Sequence, residues 1–256
     1  MRMKNIVIEK KEDIFIVKLD RPAVRNAINL ETANELEEAW KEFEGDSLMK
    51  VGIISSTSDN FCSGADLKDI EGMSQRAMSP NGPLGMTRRI LNKPVIAAIP
   101  GYCIAGGFEI ALWADIRICE NTTKFGFLER RFGVPLIDGG TQRLPLISGL
   151  GNALYLIMSG KLIDAQEAMR MSIVSEIVPA GMAFERAVEL AESITIYPQI
   201  TLLSDREAVY AGTSLDTGIM HEQRNGFHVL KSRVPQDWAK KFVAGEGRSG
   251  KIINNK

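Results

Sequence analysis

From Pro94 to Ala114 the chain runs for 21 residues with a single charge, Glu109. A stretch this apolar either crosses a membrane or fills a core. Pro100, Gly101, Gly106 and Gly107 interrupt it, and a carboxylate at membrane depth is costly. The segment is therefore expected to fold as a buried strand, a tight loop and a buried helix. A chain of 256 residues can surround such a segment, because at this size roughly three quarters of the unfolded surface is buried on folding.

The flanking sequence supplies the rest of a layered α/β protein. Asn5–Glu9 and Ile14–Leu19 alternate in the strand manner around a polar turn, which predicts a hairpin. Leu30, Ala33, Leu36, Trp40 and Phe43 recur at helical spacing, with Asn29 placed to cap the helix start. Val51–Ser55, Val95–Ile99 and Ile116–Cys119 are short β-rich runs separated by helical segments, the pattern of a parallel sheet. Beyond Thr141 the sequence reads as almost wholly helical, including Ala183–Ile194 and Gln199–Tyr210. Gly72–Gly85, with Pro80, Asn81, Gly82, Pro83 and two methionines, reads as a loop, either a plain connection or a wall facing a ligand. No linker rich in Pro, Gly or Ser divides the chain.

A formal charge of -1 gives no reason to expect nucleic-acid or membrane binding. The basic segment Lys231–Lys256 reads as a solvated tail. Cys62, Cys103 and Cys119 have no metal-ligand or redox spacing, and three cannot all pair, so a reducing cytoplasm is expected. The first residues show no signal-peptide pattern. His221 and His228 lie seven apart and do not make an i,i+4 metal pair.

Two glutamates stand in glycine-bearing segments. Glu109 follows Gly101-Tyr102-Cys103-Ile104-Ala105-Gly106-Gly107-Phe108, and Glu129 closes Phe125-Gly126-Phe127-Leu128. Glycines at a loop-to-helix junction let backbone approach a ligand and aim N–H groups at developing negative charge. The segment is neither a P-loop nor a dinucleotide fingerprint. Glu109 has a plain alternative as an acid in the first turn of a helix, and Glu129 has one as an ion pair with Arg130 or Arg131.

These segments, together with Ser63-Gly64-Ala65-Asp66-Leu67-Lys68, resemble the crotonase (enoyl-CoA hydratase/isomerase) superfamily. The resemblance runs from Leu19-Asp20-Arg21-Pro22 to about Gly181. It implies a crotonase-like α/β spiral of ββα units over residues 1–195, followed by a C-terminal helical region, 196–256, used in forming homotrimers or homohexamers. It also implies that the amides of Ala65 and Gly106 bind the oxyanion of an acyl-CoA thioester. Glu129 would be the principal acid/base, with Glu109 orienting the water added to a trans-2-enoyl-CoA. Arg25, Ala65, Asp66, Leu67, Lys68 and Gly106 would hold coenzyme A, itself part of the substrate, and no separate cofactor is implied.

Two departures from the family pattern matter. Many family hydratases have Pro-Gly-x-Gly-Gly-Thr where this chain has Leu136-Ile137-Asp138-Gly139-Gly140-Thr141. Asp138 is thus a third acid, expected either to cap the following helix or to act in catalysis, as in double-bond isomerases of the family. The C-terminal end, Gly245–Gly250, lacks the usual family pattern and puts its contacts with coenzyme A in doubt. Non-catalytic or RNA-binding homologues form a further class, against which the near-zero charge counts.

Overall fold

The computed structural model describes residues 3–212 and, beyond them, His228, Ser232, Val234, Asp237 and Ala244. His221 and the Gly245–Gly250 end lie outside the described residues, as does most of the basic tail. The chain divides into two compact units, Met1–Ala191 and Glu192–Lys256.

In the first unit the expected hairpin forms. Strands β1 (Ile6–Lys11) and β2 (Ile14–Leu19) pair antiparallel, with Ile6 opposite Leu19. Helix α1 (Leu30–Gly45) follows, and Asn29 caps it by accepting the Thr32 amide at 2.9 Å. Its buried face carries Leu36, Trp40 and Phe43, and the Trp40 ring packs at 5.1 Å on Trp113. Strands β3 (Val51–Ser56) and β4 (Val95–Ile99) extend the sheet in parallel, with the short helix α2 (Ile70–Gln75) between them in sequence.

The 94–114 segment resolves as expected into strand, loop and helix. After β4 come β5 (Tyr102–Ile104) and α3 (Gly106–Trp113), a helix buried from Gly107 onward. Strand β6 (Ile116–Glu120) then joins β4 in parallel. The remaining elements are β7 (Lys124–Gly126), α4 (Gly140–Ser159), β8 (Ile163–Asp164), α5 (Ala165–Arg170), β9 (Glu176–Val178) and α6 (Ala183–Thr195). Helix α4 is interrupted at Gly149, whose backbone is not helical.

The main sheet has the order β1-β2-β3-β4-β6-β9, and a second sheet has the order β5-β7-β8. The C-terminal half is therefore not wholly helical: β9 completes the main sheet, and β8 closes the second. Strands of two or three residues are too short to show alternation, and they exist here because β6 and β7 offer open edges. The second unit holds the end of α6 and, after it, α7 (Gln199–Ala211). Among the described residues no helix is long and apolar enough to cross a membrane.

Packing between the sheets positions the two glutamates. Phe108 on α3 stacks on Phe127 at 4.7 Å and tilts against Phe125 at 5.4 Å. Glu109 follows the first ring and Glu129 lies two residues after Phe127. This apolar contact, rather than any bond between the acids, fixes the elements that carry them.

Candidate active site

Motifs far apart in the chain are joined by polar contacts. Both terminal nitrogens of Arg21 donate to Asp66 Oδ2 at 3.1 Å, and the Lys68 amide donates to Asp66 Oδ1 at 3.1 Å. The Ser63 amide donates to the Arg25 carbonyl at 3.1 Å. The Ile28 amide donates to Gly64 O and the Asp66 amide to Ile28 O, each at 2.8 Å. That register leaves the Ala65 N–H between them, with no acceptor among the described residues.

The Gly106 N–H likewise has no acceptor among the described residues, since it opens α3. The turn before it is tight. Ala105 holds a positive φ of 52°, a conformation L-residues adopt only under constraint. A Cβ on Gly107 would lie 2.4 Å from the Cys62 carbonyl, so this position needs glycine for the close approach. The two free amides are near one another, because a Cβ built on Gly106 would stand 3.6 Å from Ala65 N.

Both amides open on a cavity of about 640 Å³ lined by Ala65, Leu67, Gly106, Glu109, Glu129 and Asp138 among others. Apolar groups from Met73, Ala77, Pro83, Leu84, Val134 and Ile137 form much of its wall. The Gly72–Gly85 segment is thus a ligand-facing wall as well as a connection. Size and character suit a thioester with an aliphatic acyl group.

Three buried carboxylates share this cavity. Glu109 is 3 % exposed, Asp138 4 % and Glu129 8 %. Glu109 Oε1 accepts the amides of Asp138 at 3.0 Å and Gly140 at 2.8 Å. Glu109 therefore serves the N-terminus of α4, not only its own helix. The expectation that Asp138 caps α4 is corrected: its Oδ1 turns to the Leu84 amide, at 3.0 Å, and to the Thr87 hydroxyl. The two helix-end amides are already taken by Glu109, which leaves Asp138 free to bind the loop.

Glu129 opens the 3-10 turn Leu128–Phe132. Neither of its carboxylate oxygens has a hydrogen-bond partner, and an ion pair with Arg130 or Arg131 does not form. Burial pushes Glu129 up to about 7. Burial, followed by the nearby charge of Asp138, pushes Glu109 up to about 8 against the pull of its two amide donors. Asp138 is also raised by burial. A carboxyl without partners in a dry cavity is costly unless it exchanges protons with something that enters.

Of the residues expected to hold coenzyme A, Ala65, Leu67 and Gly106 line the cavity. Arg25 and Lys68 are exposed outside its lining, Arg25 with its guanidinium 5.4 Å from the Tyr102 ring. Asp66 spends its carboxylate on Arg21 and the Lys68 amide. Sequence reasoning missed Thr87 and Leu84 as partners of Asp138. They lie 51 and 54 residues away in the chain, and no local pattern links them.

A family model described as Enoyl-CoA hydratase/isomerase matches residues 9–239. The short-chain-enoyl-CoA hydratase of Clostridium acetobutylicum is 33% identical over 221 residues, which are 84% of this chain and 85% of the relative. The crotonyl-CoA hydratase of Syntrophomonas wolfei is 32% identical, with the same coverage of 84% and 85%. Among solved structures, enoyl-CoA hydratase from Mycobacterium tuberculosis superposes with a TM-score of 0.89 at 27% identity over 98% of each chain. The fold is crotonase-like, and the chain belongs to the enoyl-CoA hydratase/isomerase family.

Proposed function

We propose that this protein is an enoyl-CoA hydratase that adds water across the 2,3-double bond of a trans-2-enoyl-CoA. The observation that carries the reading is two buried glutamates, one wholly without hydrogen-bond partners, in one cavity with two free backbone amides. The thioester oxygen would lie between the amides of Ala65 and Gly106, which stabilise the enolate formed when water attacks the β-carbon. Ionised Glu129 removes a proton from that water as its oxygen bonds to the β-carbon and the double bond opens. The same proton then passes from Glu129 to the α-carbon, giving the 3-hydroxyacyl-CoA. Glu109, anchored at Oε1, has Oε2 left to orient the water. The addition is redox-neutral and balances without a further cofactor.

The test is loss of the conjugated-thioester absorbance of crotonyl-CoA, with the 3-hydroxy product identified by mass spectrometry. Product lacking the mass of water, or no reaction with thioesters still bound, would exclude hydration. Double-bond isomerisation is the second reading, favoured by Asp138 in the same cavity, and a 3-enoyl-CoA substrate separates the two.

Gly64→Ala tests the oxyanion site. Gly64 has φ +91°, and an added Cβ would sit 2.8 Å from Gly106 N. The variant is expected to lower kcat/KM for crotonyl-CoA by about tenfold or more. Activity at the wild-type level would remove the Gly106 amide from the site.

Self-association as a homotrimer or homohexamer belongs to the same proposal. It is supported by Leu146, Leu150 and Met158 of α4, which are 87, 65 and 71 % exposed. A cytoplasmic location is supported by the free, buried cysteines 62, 103 and 119.

A further inference from the structure

Residues 76–94, between α2 and β4, form neither helix nor strand. A segment without ladder hydrogen bonds keeps a fixed course only if other groups take up its backbone. Four bonds do so by crossing to residues 137–143. Asp138 Oδ1 accepts the Leu84 amide at 3.0 Å and the Thr87 hydroxyl. Arg143 Nη2 donates to the Thr87 carbonyl, and Arg88 Nη2 donates to the Ile137 carbonyl at 3.0 Å. Leu84 and Thr87 are buried, at 1 and 0 % exposure.

The loop so held is a working surface, because Pro83 and Leu84 line the cavity opposite Val134 and Ile137. Asp138 also reaches the other way: its own amide donates to Glu109 Oε1 at 3.0 Å. One residue thus ties the apolar wall to the carboxylate at the proposed reacting centre.

We infer that Asp138 is a positioning residue that sets acyl-chain length, strapping the 79–91 loop to the start of α4 so that Pro83 and Leu84 close the acyl end of the cavity. This inference rests on the enoyl-CoA reading of the cavity. It differs from an acid/base role for Asp138, because the function lies in an accepting oxygen and not in a transferable proton. An asparagine keeps such an oxygen, alanine does not, and Thr87→Val removes one donor while leaving Asp138 in place.

The test compares wild type with Asp138→Asn, Asp138→Ala and Thr87→Val. Binding of butyryl-CoA and decanoyl-CoA, which carry no double bond to hydrate, is measured by calorimetry. Turnover of crotonyl-CoA is followed separately. Loss of the strap loosens the wall, so Asp138→Ala and Thr87→Val are expected to raise the decanoyl-to-butyryl affinity ratio about tenfold, on the scale of one lost hydrogen bond. Their kcat should stay within about threefold of wild type, and Asp138→Asn should keep the wild-type ratio within the same margin.

An unchanged ratio in both Asp138→Ala and Thr87→Val would overturn the inference. A loss of kcat of about a hundredfold in Asp138→Asn and Asp138→Ala alike, with the ratio unchanged, would also overturn it and place Asp138 on the reacting atoms. If wild type binds both thioesters but does not hydrate crotonyl-CoA, the hydratase reading fails while the ratio still decides the strap. Binding of neither thioester would overturn both.

Discussion

With Glu129 replaced by glutamine, kcat for crotonyl-CoA is expected to fall by about 10²–10⁴-fold while KM changes only a few-fold. The expectation follows from what Glu129 does not do. Neither of its oxygens accepts a hydrogen bond, so glutamine breaks no contact and leaves the Phe108–Phe127 packing untouched. What disappears is a carboxylate pushed by burial to about 7, close to where a general base works best near neutral pH. The wild-type dependence of kcat/KM on pH should rise through that region as the base ionises, and the residual activity of the variant should lose this limb. Retention of more than about a tenth of wild-type kcat would remove Glu129 from the proton path. Glu109→Gln is a different experiment. Its Oε1 holds two amides at the start of α4, so any loss of activity must be read beside a melting curve.

Much of this site was legible in the sequence because its parts are local. Gly106-Gly107 before a helix and a lone acid in an apolar run predict a buried carboxylate beside free amides, and the fold supplies both. The hairpin and the Asn29 cap were legible for the same reason: each is decided within a few residues. What could not be read is set by contacts between distant segments. Strand β9 exists only because β6 leaves an edge for three residues. The role of Asp138 depends on a loop some fifty residues upstream, and capping was the natural local expectation until Glu109 proved to hold the same amides. The Arg21–Asp66 pair is a third case, since only the fold brings two motifs 45 residues apart into one bidentate contact. Arg25 and Lys68 show the opposite limit, because exposed cations carry no burial or packing signal that would tie them to a phosphate.

The same burial that prepares the glutamates should make the folded protein less stable as pH rises. In the unfolded chain Glu109 and Glu129 titrate near 4.5, whereas in the folded protein they hold their protons to about 8 and about 7. Below pH 4.5 both states are protonated and neither group affects stability. Above it the unfolded state has already released protons that the folded state keeps, so the folding free energy weakens up to pH 7–8 and then levels off. For Glu129 the difference amounts to on the order of 3 kcal/mol. Glu129→Gln removes this titration and leaves the others in place. Urea unfolding at pH 5 and pH 8 should therefore show wild type losing about 3 kcal/mol more than the variant between the two conditions. The inactive protein should be the more stable one at pH 8. Parallel losses in the two proteins would mean that Glu129 ionises in the folded state at its ordinary value, and would take away the tuned base on which the proposed chemistry depends. The direction of the stability difference and the loss of activity thus have one physical cause: a carboxyl kept dry and without partners is costly to the fold and useful only to a reaction that lends it a proton.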